Sequence, residues 1–84
     1  MSRVKYKKQA IKALLKMPRP LADRFRQAFQ RIADDETRGL DLKKLQATEG
    51  LRLRIGSYRA ILEIMDGDVR VLVLDIGPRG GVYK

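Results

Sequence analysis

Apolar residues recur along this chain in two rhythms, and the change between them divides it. Over residues 7–17, Ala10, Ile11, Leu14 and Leu15 fall at helical spacing, with Lys8, Lys12 and Lys16 on another stripe. That is the pattern of an amphipathic helix. Pro18 ends it, because a proline pushes the residue before it out of helical geometry. Pro20 suits the first turn of a second helix. There Leu21, Ala22, Phe25, Ala28, Phe29, Ile32 and Ala33 follow steps of three and four, and Gly39 is expected to stop the helix. The short Pro18-Arg19-Pro20 connector predicts an antiparallel helix hairpin. Ahead of it, Val4 and Tyr6 alternate with Arg3 and Lys5, which reads as a short edge strand guarded by charge. Residues 39–50 form a polar connector carrying Leu40, Leu42 and Leu45, to which the pattern assigns no element.

From Leu51 the period becomes two. Leu51, Leu53 and Ile55 alternate with Arg52 and Arg54, as in a half-buried strand. Gly56-Ser57 reads as a two-residue hairpin turn, residues 58–65 as the next strand, Asp66-Gly67 as a second hairpin turn, and residues 68–76 as a last, central strand with apolar residues on both faces. The turns imply a register. Across the first, Ile55 opposes Tyr58, Arg54 opposes Arg59 and Arg52 opposes Ile61. Across the second, Met65 opposes Asp68, Glu63 opposes Arg70, Ile61 opposes Leu72 and Arg59 opposes Leu74. Leu51, Leu53, Ala60, Leu62, Ile64, Val69, Val71 and Val73 then form a core face under the helices. The fold expected is a small two-layer α+β domain over residues 1–84, ordered β-α-α-β-β-β, with the helix hairpin on one face of an antiparallel sheet.

The same register gathers Arg52, Arg54 and Arg59 on the opposite face. Arg54 lies directly across from Arg59, and like charges so placed destabilise a sheet. An anion bound between them relieves that repulsion. The last strand ends beside the start of the strand before it, so Arg79 and Tyr83 are expected to converge on Arg59 from the far end. The expected site holds an RNA phosphate, with Tyr58 and Lys84 as further RNA-binding residues.

Charge and composition support a polyanionic partner and exclude several chemistries. The 84 residues carry a formal net charge of +9, which in so short a chain favours nucleic acid over an acidic protein or an anionic membrane. Cysteine and histidine are both absent, so there is no disulfide framework, no thiolate zinc site and no Ser-His or Cys-His nucleophile pair. No cofactor is expected. The apolar runs are too short to span a bilayer and the N-terminus has no apolar secretory core, so a cytoplasmic protein without membrane contact is expected.

Strand, helix hairpin and three antiparallel strands, with Leu51-Arg52-Leu53-Arg54, Ser57-Tyr58-Arg59 and Ile76-Gly77-Pro78-Arg79 followed by Val82-Tyr83, resemble the RelE/ParE superfamily of toxins from toxin–antitoxin systems. RelE-type members are small basic endoribonucleases that cut mRNA in the ribosomal A site and are neutralised by a cognate antitoxin. The resemblance implies metal-independent cleavage by attack of the 2′-hydroxyl on phosphorus, with the 70S ribosome and mRNA as partners. It maps the working residues onto Arg52, Arg54, Arg59, Arg79 and Tyr83. Arg52 and Arg54 stand where RelE-type enzymes often carry lysine, and arginine stays charged, so no general base is identified. ParE-type members share the fold but inhibit DNA gyrase. Arg59, Arg79 and Tyr83 favour the RelE side, with a gyrase inhibitor and a non-catalytic nucleic-acid-binding module as the alternatives.

Overall fold

The computed structural model describes residues 3–45 and 50–78. Two helices, α1 (Lys8–Lys16) and α2 (Arg19–Ala33), pack against a sheet of β1 (Val4–Tyr6), β2 (Asp41–Lys44), β3 (Leu51–Ile55), β4 (Tyr58–Ile64) and β5 (Val71–Pro78). The spatial order is β1-β5-β4-β3-β2. β5 is therefore interior and β1 an edge, as the pattern predicts. Two features go beyond it. The connector after α2 supplies β2 as the opposite edge, antiparallel to β3. β1 pairs parallel to β5, so the sheet is mixed.

The core is where the helical and strand periods meet. Phe25, Phe29, Leu53, Leu62, Val71 and Val73 are its largest fully buried side chains. Phe25 stacks on Phe29 with centroids 5.8 Å apart, and Tyr6 of β1 meets the Phe29 edge at 5.8 Å. Burial raises the Tyr6 phenol above its usual range, and Arg26 opposes that shift. The stripe on α1 divides: Ala10 and Leu14 are buried, while Ile11 and Leu15 face solvent. Ile64 is exposed, and Val69 lies outside the buried cluster. Both had been expected in the core.

α2 ends before Gly39. Asp35 takes the left-handed position at φ 60°. Its N–H donates to the Ile32 carbonyl at 3.1 Å and the Glu36 N–H to the Arg31 carbonyl at 2.8 Å, the bond pair of a Schellman stop. Aspartate tolerates this geometry better than most residues. Gly39, at φ 84°, serves the next turn instead, where the Leu40 N–H reaches the Thr37 carbonyl at 3.1 Å.

The β3–β4 register is the one predicted: Ile55 opposes Tyr58, Arg54 opposes Arg59 and Arg52 opposes Ile61. Gly56 alone takes positive φ in that turn, at 59°, as a type II′ turn requires. The β4–β5 register differs. Glu63 opposes Leu72, not Arg70, and Arg59 opposes Gly77, not Leu74. The Met65 N–H meets the Arg70 carbonyl at 2.8 Å, leaving residues 66–69 as the loop. Arg70 is drawn elsewhere: its N–H donates to the Arg3 carbonyl at 2.8 Å, and its guanidinium pairs with Asp35 at 3.2 Å. A bulge then interrupts the ladder. Leu62 opposes Val73, but Ile61 opposes Asp75 and Ala60 opposes Ile76. The bulge swaps the strand's parity, so Ile76 joins Val71 and Val73 in the core while Asp75 turns outward.

Candidate RNA-phosphate site

The sheet face away from the helices carries the candidate site. Cα partners share a face, so the register can be read across the strands as rows. One row runs Asp41, Arg54, Arg59, Gly77, and the next Lys43, Arg52, Ile61, Asp75. Arg52, Arg54 and Arg59 are together, as predicted. Arg54 is exposed and Arg59 half-buried. The Arg52 side chain keeps only 17% of its surface exposed.

Arg52 and Arg59 are both partly buried on this face. Ile61 is on this face, outside the main core cluster, yet it is 3% exposed. Long cationic side chains cover apolar surface in this way while presenting their heads to solvent. The consequence is chemical. The Nε atoms of Arg52 and Arg59 are both buried, and neither has a hydrogen-bond partner among the described residues. A buried guanidinium N–H without an acceptor is costly. Two of them beside the opposed Arg54–Arg59 pair leave guanidinium donors on this face without an acceptor among the described residues. Planar guanidinium donors match a phosphate well.

The face is not uniformly basic. Asp41 pairs with Arg52, Oδ1 to Nη2, at 3.5 Å. Glu63 stands opposite Leu72 and Asp75 opposite Ile61. The sequence pattern missed Asp41 and Asp75. The Asp41/Lys43 alternation in β2 is a signal for the first, whereas the second depends on a bulge that leaves no local mark. Among the described residues, no group of three or more His, Cys, Asp or Glu side chains is placed to hold a metal ion, and no helix is long and apolar enough to cross a membrane.

Tyr58 is separated from the arginines. It opposes Ile55 and Pro78 and packs against the helix-side core. There it lines a groove with Gln9, Lys12, Met17 and Ile76. The parity that sends Arg59 outward sends its neighbour inward. Arg79, Tyr83 and Lys84 lie outside the described residues.

Residues 4–83 match the family described as the ParE toxin of type II toxin–antitoxin systems, parDE. The chain is similar to the RelE–RelB complex of Pyrococcus horikoshii OT3, at 34% identity over 94% of this chain and 96% of that one, with a TM-score of 0.75. It shares its fold with the RelB–RelE antitoxin–toxin complex of Methanococcus jannaschii, at 22% identity, 89% coverage of both chains and a TM-score of 0.73. It shares it also with the RelBE2 complex of Mycobacterium tuberculosis, at 22% identity over 90% of this chain and 95% of that one, TM-score 0.68. No curated protein sequence matches the chain.

Proposed function

Since the chain belongs to the ParE toxin family of type II toxin–antitoxin systems, within the RelE/ParE superfamily, we propose that it is a RelE-type endoribonuclease that cleaves mRNA in the ribosomal A site. The observation that carries the reading is the pair of buried Nε atoms on Arg52 and Arg59, without a partner among the described residues, beside the opposed Arg54. Similarity to the Pyrococcus horikoshii RelE–RelB complex supports it.

In the proposed reaction the 2′-oxygen attacks the adjacent phosphorus and the bond to the 5′-oxygen breaks. The products are a 2′,3′-cyclic phosphate and a 5′-hydroxyl. Arg59 holds the scissile phosphate and stabilises the charge that grows on it. A preorganised donor of this kind is worth about 10²–10³ in rate. Arg52 and Arg54 hold the 2′-oxygen side or the neighbouring phosphate. Arg79 and Tyr83, which follow Pro78 in sequence, complete the set, and Lys84 adds a cation for the RNA. The ribosome supplies orientation of the RNA strand. A cognate antitoxin with an acidic or amphipathic segment is the proposed protein partner, suited to the +9 charge of the chain.

The family match itself favours a second reading, inhibition of DNA gyrase. The two separate in one experiment. The purified chain is added to programmed ribosomes with a message in the A site, and in parallel to a gyrase supercoiling reaction. Cleaved message with 5′-hydroxyl ends and unaffected supercoiling is expected. Intact message with blocked supercoiling overturns the nuclease reading in favour of the second.

A further inference from the structure

The bulge in β5 supplies what the arginines lack. Arginine is always protonated and cannot accept the proton of a 2′-hydroxyl. The open face holds carboxylates at Asp41, Glu63 and Asp75. Asp41 is engaged by Arg52 at 3.5 Å. Glu63 is four residues beyond Arg59 on β4, about 13 Å along the strand. Asp75 is one row from Arg59, since Arg59 opposes Gly77 and Ile61 opposes Asp75. Diagonal neighbours of this kind lie about 7–8 Å apart between Cα atoms, within reach of long side chains. Among the described residues Asp75 has no ion-pair partner.

Its placement is built into the fold. Regular alternation from Val71 and Val73 carries Asp75 into the core, and only the irregularity between Ile61 and Leu62 turns it outward. Bulges are over-represented beside active sites because they re-aim a side chain. This one is held from the helix layer: Gln9 Nε2 of α1 donates to the Leu74 carbonyl at 3.0 Å. The Asp75 carboxylate is itself oriented, with Oδ1 accepting the Ile76 N–H at 2.9 Å. That leaves Oδ2 for other chemistry.

We propose that Asp75 is the general base of the cleavage, an inference that rests on the nuclease reading above. The carboxylate takes the 2′-hydroxyl proton as the 2′-oxygen bonds to phosphorus. The P–O5′ electron pair leaves with the 5′-oxygen, which takes a proton from water, and the carboxylic acid returns its proton to solvent. Gln9 is a positioning residue that acts through the bulge. Among the described residues, the charged groups that the register places on the face of Asp75 in neighbouring strands are Arg59 and Glu63 of β4, Arg52 and Arg54 of β3, and Lys5 of β1.

The test is single-turnover cleavage on programmed ribosomes at neutral pH, comparing the parent chain with Asp75→Asn and Glu63→Gln. Asparagine keeps an acceptor for the Ile76 N–H but takes no proton, and circular dichroism checks that the fold is retained. The parent and Glu63→Gln are expected to cut within about threefold of each other, whereas Asp75→Asn is expected to lose about 10²–10⁴ in rate. Asp75→Asn cutting within about threefold of the parent overturns the role of Asp75 and leaves the nuclease reading standing. A parent chain that cuts no message overturns both.

Discussion

Replacing Arg54 with threonine is predicted to stabilise the free protein while weakening its hold on RNA. Arg54 stands directly across from Arg59, and such like-charge cross-strand pairs cost roughly 0.2–1 kcal/mol. Arg54 is exposed, so its removal opens no cavity. Threonine suits a pleated surface at least as well. Asp41, the other neighbour across from Arg54, already pairs with Arg52 at 3.5 Å and is half-exposed, so little attraction is lost with it. The net gain is about 0.5 kcal/mol, which for a domain of this size is about 3 °C in Tm. The repulsion is Coulombic and screened, with a Debye length near 10 Å at 0.1 M salt and about 3 Å at 1 M. Thermal unfolding of both proteins, followed by circular dichroism in about 20 mM and about 1 M sodium chloride, reads out the effect. The gain should appear at low salt and shrink at high salt. An Arg54→Thr protein that is less stable than the parent at low salt refutes the reasoning, and so does a gain that salt leaves unchanged.

Three further outcomes test the scaffold. Ile76→Ala should cost about 2–4 kcal/mol in urea unfolding, because the bulge places Ile76 in the core; a cost below about 1 kcal/mol contradicts that parity. Asp35→Val should be less stable than Asp35→Gly by about 1–2 kcal/mol by the same measurement, since both variants lose the Arg70 ion pair and only the β-branched residue is strained at φ 60°. The raised Tyr6 phenol makes the folded state bind its proton more tightly than the unfolded chain does. Its contribution is therefore complete below about pH 10 and is lost as pH rises through the higher folded value. Tyr6→Phe should unfold with a shallower loss of stability above about pH 10 than the parent.

What the sequence revealed follows from how local each signal is. The α2 spacing, the Gly56-Ser57 turn and the β3–β4 register are all set within short stretches, and each is found as read; α1 forms where its spacing predicts, but only Ala10 and Leu14 of its stripe are buried. The Arg52, Arg54 and Arg59 grouping rests on that register and appears with it. The β4–β5 register departs from the one the turn implies because distant partners override a local turn signal. Arg70 is held by Arg3 and Asp35, which widens the turn, and a bulge supported by Gln9 shifts the remainder. β2 escaped notice because a four-residue edge strand with one inward leucine, Leu42, has too little pattern to stand out. Tyr58, expected as a further RNA-binding residue, packs on the helix side instead, because strand parity sends it and Arg59 to opposite faces.

The most direct measurement is the rate of A-site message cleavage by Arg59→Ala on programmed ribosomes. Arg24→Ala, an exposed arginine of α2, serves as the charge-matched control. Both variants lose one positive charge, so a general electrostatic effect moves them equally. The account predicts a fall of about 10²–10³ for Arg59→Ala and a change within about threefold for Arg24→Ala. Equal losses in the two variants, or an Arg59→Ala protein that cuts as fast as the parent, contradict a phosphate site on the arginine face.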